Sequence, residues 1–328
     1  VFVQEAGSAR FDGMPRSALA TGLADAVVPP GHMAPLIAEA LRDPASFSTR
    51  VADALDDSSD ALGQLLELLG RTTAVDFTHY KRGTVLRRIT RRLAATGCQT
   101  LEDYLRFARE SPTELDQLRR DLLISVTRFF RDSEVFETLT REVLPELVRQ
   151  ASAREPLRVW VAGCATGEEA YSLAMLLVEE IERDGRPIDL RLLATDIDRV
   201  ALEVASAGLY SSAIEADVSP ERLQRFFERK DGQYSVRREL RQTVVFAPHD
   251  ITGDPPFTRI SLVSCRNLLI YLDQTLQQRV LAAFRFALRP SGVLMLGPSE
   301  SLGESGGAFK ALDGRHRIFI SQADQSSR

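Results

Sequence analysis

From Pro156 onward the chain alternates short apolar runs with helical stretches, and this constrains its fold more than any other feature. Arg158–Ala162, Leu190–Ala194, Arg259–Cys265 and Gly292–Leu296 read as strands. Glu168–Arg183, Arg199–Ala207 and Thr275–Leu288 read as the helices between them. Such alternation predicts a doubly wound α/β domain with a parallel sheet. The interval from Tyr210 to His249 is too long for one crossover. Within it Asp231-Gly232 lies between Arg229-Lys230 and Gln233–Val236, predicting a turn between antiparallel strands and hence a small insertion. Before Pro156, from about Asp76 to Gln150, apolar residues recur at helical spacing, with Val85, Leu86, Ile89 and Leu93 as one example. That predicts a small all-helical unit.

The first strand runs into Gly163-Cys-Ala-Thr-Gly167 and then into Glu168 and Glu169. A strand, a glycine loop and a helix put backbone N–H groups at the sheet's C-terminal edge, where nucleotide-like ligands bind. The loop is not G-x-G-x-x-G and has no following G-K-[ST], which argues against a phosphate cradle. Two carboxylates would repel a pyrophosphate and suit a cationic ligand such as S-adenosylmethionine. Favourable placement of acids at a helix N-terminus explains the pair equally well. Of the acids ending the second strand, Asp196 is expected to accept ribose hydroxyls and Asp198 to cap the next helix. Asp254-Pro-Pro-Phe257 has the look of a base-methylating motif, but it precedes its strand instead of following it, so it reads as a rigid loop.

Lys81, Arg82, Arg87, Arg88, Arg91 and Arg92 crowd twelve positions that hold no acid, opposite the apolar Val85, Leu86 and Ile89. This is either a solvated face paired with acids elsewhere or a docking site for an acidic helix or a nucleic acid. The net charge of −5 supplies no global attraction to nucleic acid or membrane surfaces. No apolar run approaches transmembrane length, and Cys98, Cys164 and Cys265 form neither a disulfide framework nor a zinc spacing. A reducing cytoplasmic setting is expected. His32, His79, His249 and His316 are scattered, so a reaction needing no strong general base is preferred.

Taken in order, Thr127-Arg-Phe-Phe-Arg131, Thr166-Gly-Glu-Glu-Ala-Tyr-Ser172, Ala194-Thr-Asp-Ile-Asp198, Cys265-Arg-Asn-Leu-Leu-Ile-Tyr271 and Gly297-Pro-Ser-Glu300 resemble the CheR family of chemoreceptor glutamate methyltransferases. The resemblance implies an all-helical domain over about 73–150. It implies a Rossmann-like S-adenosylmethionine-binding domain over 151–322, with a β-subdomain inserted at about 210–247. Implied cofactor contacts are Ser125 (the family usually has Asn), Thr127 and Arg131 from the helical domain, with Glu168, Asp196, Asp250, Ile251, Asn267 and Leu268. Arg131 and Tyr271 are implied at the methyl-transfer site, the product being S-adenosylhomocysteine. The basic helix would then contact the helical cytoplasmic domain of a chemoreceptor.

Val3–Arg16, followed by Thr21, Gly22 and Asp25, resembles the C-terminal end of the CheB receptor methylesterases, with Glu5 where that family has its triad aspartate. Residues 1–42 are therefore expected to be the tail of an upstream esterase domain, and 43–72 a connector. Alternatives kept open are a non-catalytic adaptor with this fold and a nucleic-acid methyltransferase.

Overall fold

The computed structural model describes residues 2–5, 8–9, 15, 26–42, 59–73, 75–98, 100–152 and 155–322. Of the connector expected at 43–72, residues 43–58 lie outside the described residues, as do Thr21, Gly22 and Asp25, while 59–72 is not connector but part of a helix whose Leu65 and Leu69 are buried. The chain forms two compact units, dividing between Ile124 and Ser125.

In the first unit, strands β1 (Phe2–Gln4) and β2 (Ala26–Val28) pair in parallel. Helix α1 (Pro30–Arg42) follows. After it, among the described residues, come α2 (Ser59–Thr73), α3 (Arg82–Thr96), α4 (Leu101–Glu110) and α5 (Pro112–Leu122). Their limits are set locally. Thr100 accepts the Asp103 N–H at the start of α4. Ser111 accepts the Glu114 N–H at the start of α5, where Pro112 occupies the first turn. Gly97 closes α3 in a left-handed conformation. Leu65 and Leu69 of α2, Leu86 and Ile89 of α3, Tyr104 of α4 and Leu118 of α5 are fully buried, so the predicted apolar faces form this unit's core.

The second unit is the α/β domain. It opens with α6 (Ser133–Thr138), a π-helical turn at Leu139–Val143 and α7 (Leu144–Gln150). Expected boundaries placed these helices in the all-helical unit. Phe136, Leu139, Leu144 and Leu147 instead share a core with Leu157 and Val159 of the sheet, which is why the division falls before Ser125.

The main strands are β3 (Leu157–Ala162), β4 (Leu190–Asp196), β8 (Val244–Pro248), β9 (Ile260–Cys265) and β10 (Leu288–Leu296). A C-terminal hairpin adds β11 (Phe309–Asp313) and β12 (Ile318–Ser321). The order across the sheet is β11-β12-β10-β9-β3-β4-β8, with β12 antiparallel to both neighbours and the remaining pairs parallel. Helices α8 (Glu168–Asp184), α9 (Arg199–Ala207) and α10 (Gln274–Ala287) connect them. The path runs outward from β3 through β4 to β8 and returns to β9 on the opposite side of β3. That reversal opens a crevice beyond the C-terminal ends of β3 and β9, where ligands bind in open α/β sheets.

The predicted insertion is a three-stranded antiparallel sheet of order β5-β7-β6, with β5 at Leu209–Ser211, β6 at Phe227–Lys230 and β7 at Gln233–Val236. Asp231 and Gly232 both take positive φ, as a tight two-residue hairpin turn requires. The end expected at about 247 is too late. Val244–Pro248 pairs in parallel with β4 and belongs to the main sheet.

Candidate active site

The glycine loop leaves β3 and is stitched at once to the end of β4. Gly163 and Cys164 donate N–H to the Thr195 carbonyl, at 2.8 and 3.0 Å. Ala165 N–H donates to Asp196 Oδ2 at 2.8 Å. Gly163, Ala165 and Gly167 all have positive φ, so the loop coils tightly back on itself. Gly163 is also pressed on Leu268 from the loop after β9: a Cβ there would stand 2.7 Å from Leu268 Cδ2. This close approach brings the β3 and β9 loops together over the crevice.

Of the two acids at the end of β4, Asp198 does the capping expected of it. Asp198 Oδ1 accepts the Val200 N–H and caps α9. Asp196 faces the loop, accepting N–H groups from Ala165 and Asp198. Burial pushes its carboxyl above the usual range, outweighing those bonds. Glu168 heads α8 and accepts the Thr166 hydroxyl at 2.7 Å. Burial raises its carboxyl too. Among the described residues no cation stands within ion-pair distance of either carboxylate. Glu169 is different: it accepts from Ser264 Oγ at 2.5 Å and pairs with Arg266 at 3.1 Å, so it fastens α8 to β9. The two acids thus differ by position: Glu169 is committed to the fold, and Glu168 is held only by Thr166.

The remaining loops converge on the same edge. His249 N–H donates to the Asp196 carbonyl, seating the Asp250-Ile251 turn beside it. The Asp250 carboxylate closes its own turn by accepting the Thr252 N–H and hydroxyl. Asn267 takes positive φ immediately after β9. Its loop hangs on Glu300, a buried residue sequence reasoning left without a role. Glu300 Oε1 accepts N–H from Leu268 and Leu269, at 2.9 and 2.8 Å, and Oε2 accepts from Gly297 at 2.6 Å. Burial nevertheless raises its carboxyl. A glutamate three residues after a strand-ending glycine was the available signal, within Gly297-Pro-Ser-Glu300. Tyr271 lies in the short 3-10 turn that continues this loop.

Ser125, Thr127 and Arg131 belong to this unit and not, as expected, to the all-helical one. Phe129 anchors their segment, buried against Tyr210 and Phe227 with ring centroids 4.9 and 5.7 Å away. Phe130 N–H donates to Ser172 Oγ, whose own hydroxyl donates to the Glu168 carbonyl. Arg131 is thereby carried over the first turn of α8, its guanidinium donating to the Val126 carbonyl at 3.0 Å.

Asp254–Phe257 is the rigid loop expected. Phe257 stacks on His249 and meets Trp160 edge-on, so its ring is committed to internal packing. The basic helix needs a correction. Lys81, Arg82 and Arg87 are exposed, and Arg88 and Arg91 half-exposed. Arg92 turns inward and forms a two-pronged ion pair with Glu114, at 2.8 and 2.7 Å, which Tyr104 joins at 2.6 Å. Arg92, its side chain 16% exposed, is committed to this internal pair and leaves the docking set.

The site fits S-adenosylmethionine on its own chemistry. It offers two partly buried carboxylates with no cation paired to them among the described residues, and a coiled backbone loop, all at the switch point of the sheet. Comparison with known proteins agrees. Residues 60–123 match the CheR methyltransferase all-alpha domain, and residues 125–318 match the CheR methyltransferase SAM binding domain. The chain is 44% identical to a 104.1 kDa protein from the hypE 3′ region of Rhodobacter capsulatus, across 96% of this chain and 35% of that protein. It thus spans about a third of that relative. It is 34% identical to the putative methyltransferase Cher3 of Pseudomonas putida, over 78% of this chain and 94% of the relative. With the chemotaxis protein methyltransferase of Escherichia coli it shares 33% identity, over 73% of this chain and 83% of the relative. The chain belongs to the CheR methyltransferase family and is an S-adenosylmethionine-dependent methyltransferase, with an all-α domain preceding its cofactor-binding domain.

Proposed function

We propose that this enzyme esterifies glutamate side chains on the helical cytoplasmic domain of chemoreceptors. The observation that carries the reading is the pair Glu168 and Asp196, two partly buried carboxylates with no cation paired to them among the described residues, inside a CheR domain. The cofactor, when bound, supplies a methyl group on a cationic sulfur. Asp196 would hold the ribose hydroxyls, with Glu168 facing the cofactor's positive end. Thr127, Ile251, Asn267 and Leu268 would line its length, with Ser125 and Asp250 at their turns. A receptor glutamate has an unperturbed pKa of about 4.3 and arrives already ionised, so no general base is required. Arg131 would orient that carboxylate, and Tyr271 would help close the site against water. Catalysis then rests on positioning. Lys81, Arg82, Arg87, Arg88 and Arg91 form the docking face for the acidic receptor helices, and the enzyme works in the cytoplasm.

Residues 1–42 fit the end of an esterase domain in a longer chain. The parallel β1–β2 pair leading into α1 is compatible with that reading, and the 104.1 kDa relative aligns over 96% of this chain. The test is transfer of labelled methyl to a purified receptor fragment. Label released as methanol in mild base identifies a carboxyl ester. Base-stable label, or label appearing on DNA instead, would overturn the assignment.

A further inference from the structure

The geometry points to Arg266 as the positioning residue that sets where Arg131 stands, a role resting on the proposed part of Arg131 in methyl transfer. Arg266 directly follows β9, and its side chain is 0% exposed. One terminal nitrogen donates to the Arg131 carbonyl at 2.9 Å and to Asp132 Oδ2 at 2.6 Å. The other donates to Glu169 Oε2 at 3.1 Å, and the guanidinium lies 5.4 Å from the centre of the Phe136 ring. One buried cation therefore joins three elements: the sheet edge, the first turn of α8 and the turn carrying Arg131.

That turn needs holding. Phe130 and Asp132, flanking Arg131, both have positive φ, at 47° and 60°. Non-glycine residues leave that region unless their surroundings over-determine it. Arg266 bonds the turn at its main chain and at its acid, and Phe130 N–H is held separately by Ser172. The Nε of Arg266 is buried without a partner among the described residues. An apolar side chain would avoid that cost, and buried ion pairs are poor net stabilisers. A guanidinium fork does what an apolar group cannot: it fixes a direction at both ends.

The experiment is a kinetic cycle on the full chain with a receptor fragment, comparing Asp132→Asn, Arg266→Lys, Arg131→Ala and each pairing with Arg131→Ala. Asp132 makes no side-chain cap to α6, so Asp132→Asn removes chiefly the tie to Arg266. Expected is a fall in kcat of roughly 100-fold for Arg266→Lys, the loss that accompanies about 1 Å of misplacement, and a smaller fall for Asp132→Asn. Affinity for S-adenosylhomocysteine should change less than about threefold. Neither change should lower kcat further once Arg131 is alanine. Losses that add fully to that of Arg131→Ala, or unchanged kcat in both variants, would overturn the role. Should Arg266→Lys fail to fold, Asp132→Asn alone decides by the same non-additivity. Wild-type kcat in Arg131→Ala would instead refute the part given to Arg131, a distinguishable result.

Discussion

Replacing Arg92 by alanine separates a docking residue from a structural one. Its guanidinium meets both Glu114 oxygens at 2.8 and 2.7 Å, and Asp121 at 3.8 Å. The Arg92 and Glu114 side chains are 16% and 8% exposed, so solvent screens the pair weakly. Removing one member strands Glu114 in the core with only the Tyr104 hydroxyl, at a cost of about 3 kcal/mol. With a urea m-value of about 1.5 kcal/mol/M for a unit this small, its midpoint should fall by about 2 M. Far-UV circular dichroism follows the helices of both units, while the single tryptophan, Trp160, sits in β3 and reports the sheet unit alone. The part of the dichroism change that comes from the helical unit should move to lower urea, drawing the overall dichroism midpoint down, while the fluorescence midpoint stays. Arg87→Ala, on the exposed face, should shift stability by under about 1 kcal/mol and weaken receptor methylation instead. A normal dichroism midpoint in Arg92→Ala would refute the inward placement and return Arg92 to the docking face. Acid gives a second reading of the same pair. Burial pushes the Glu114 carboxyl up, but its bonds from Arg92 and Tyr104 hold it below its ordinary 4.5. A carboxyl lowered by folding contributes its stability above the unfolded value and loses it as pH falls through the folded one. Acidification below about 4.5 should therefore unfold this unit progressively, and less so in Arg92→Ala.

Asp196→Asn and Glu168→Gln should each abolish measurable binding of S-adenosylhomocysteine in calorimetry while raising the melting temperature of the ligand-free enzyme. Burial raises both carboxyls, from 3.8 and 4.5, so the ligand-free fold loses stability as pH climbs through their raised values. Each substitution should flatten that loss in melting curves taken from pH 4 to 8, and an unchanged slope in both would remove the argument. Gly167→Ala should destabilise the sheet unit by about 2–5 kcal/mol, combining left-handed strain with overpacking. Its Cβ would lie 2.8 Å from Ala205 Cβ and 3.2 Å from Ala205 Cα, atoms no rotamer change can move. A Trp160 unfolding midpoint equal to wild type would refute that packing.

Local signals carried far in this sequence because much of the site is built locally. The Gly163–Gly167 loop, Asp196 at a strand end, Asp198 capping the next helix and the Asp231-Gly232 turn each involve neighbours in the chain or adjacent strands. Legibility ended where a side chain is committed across the fold. Arg92 looked like part of a basic face because its partner, Glu114, lies two helices later. Arg266 and Glu300 carried no periodicity or charge pattern, and their roles come from contacts 134 and 32 residues distant. Helices α6 and α7 read as more of the helical domain, since periodicity says a face is buried without saying against what.

The division of the chain before Ser125 makes the enzyme a two-part tool. Everything that would grip the methyl donor, including Thr127 and Arg131, lies on one piece, and the basic helix lies on the other. With docking on the basic helix as proposed, target choice would drift by altering residues 59–123, while the chemistry is inherited intact. A lineage with many receptors could diversify its methyltransferases by reshaping one small helical cassette.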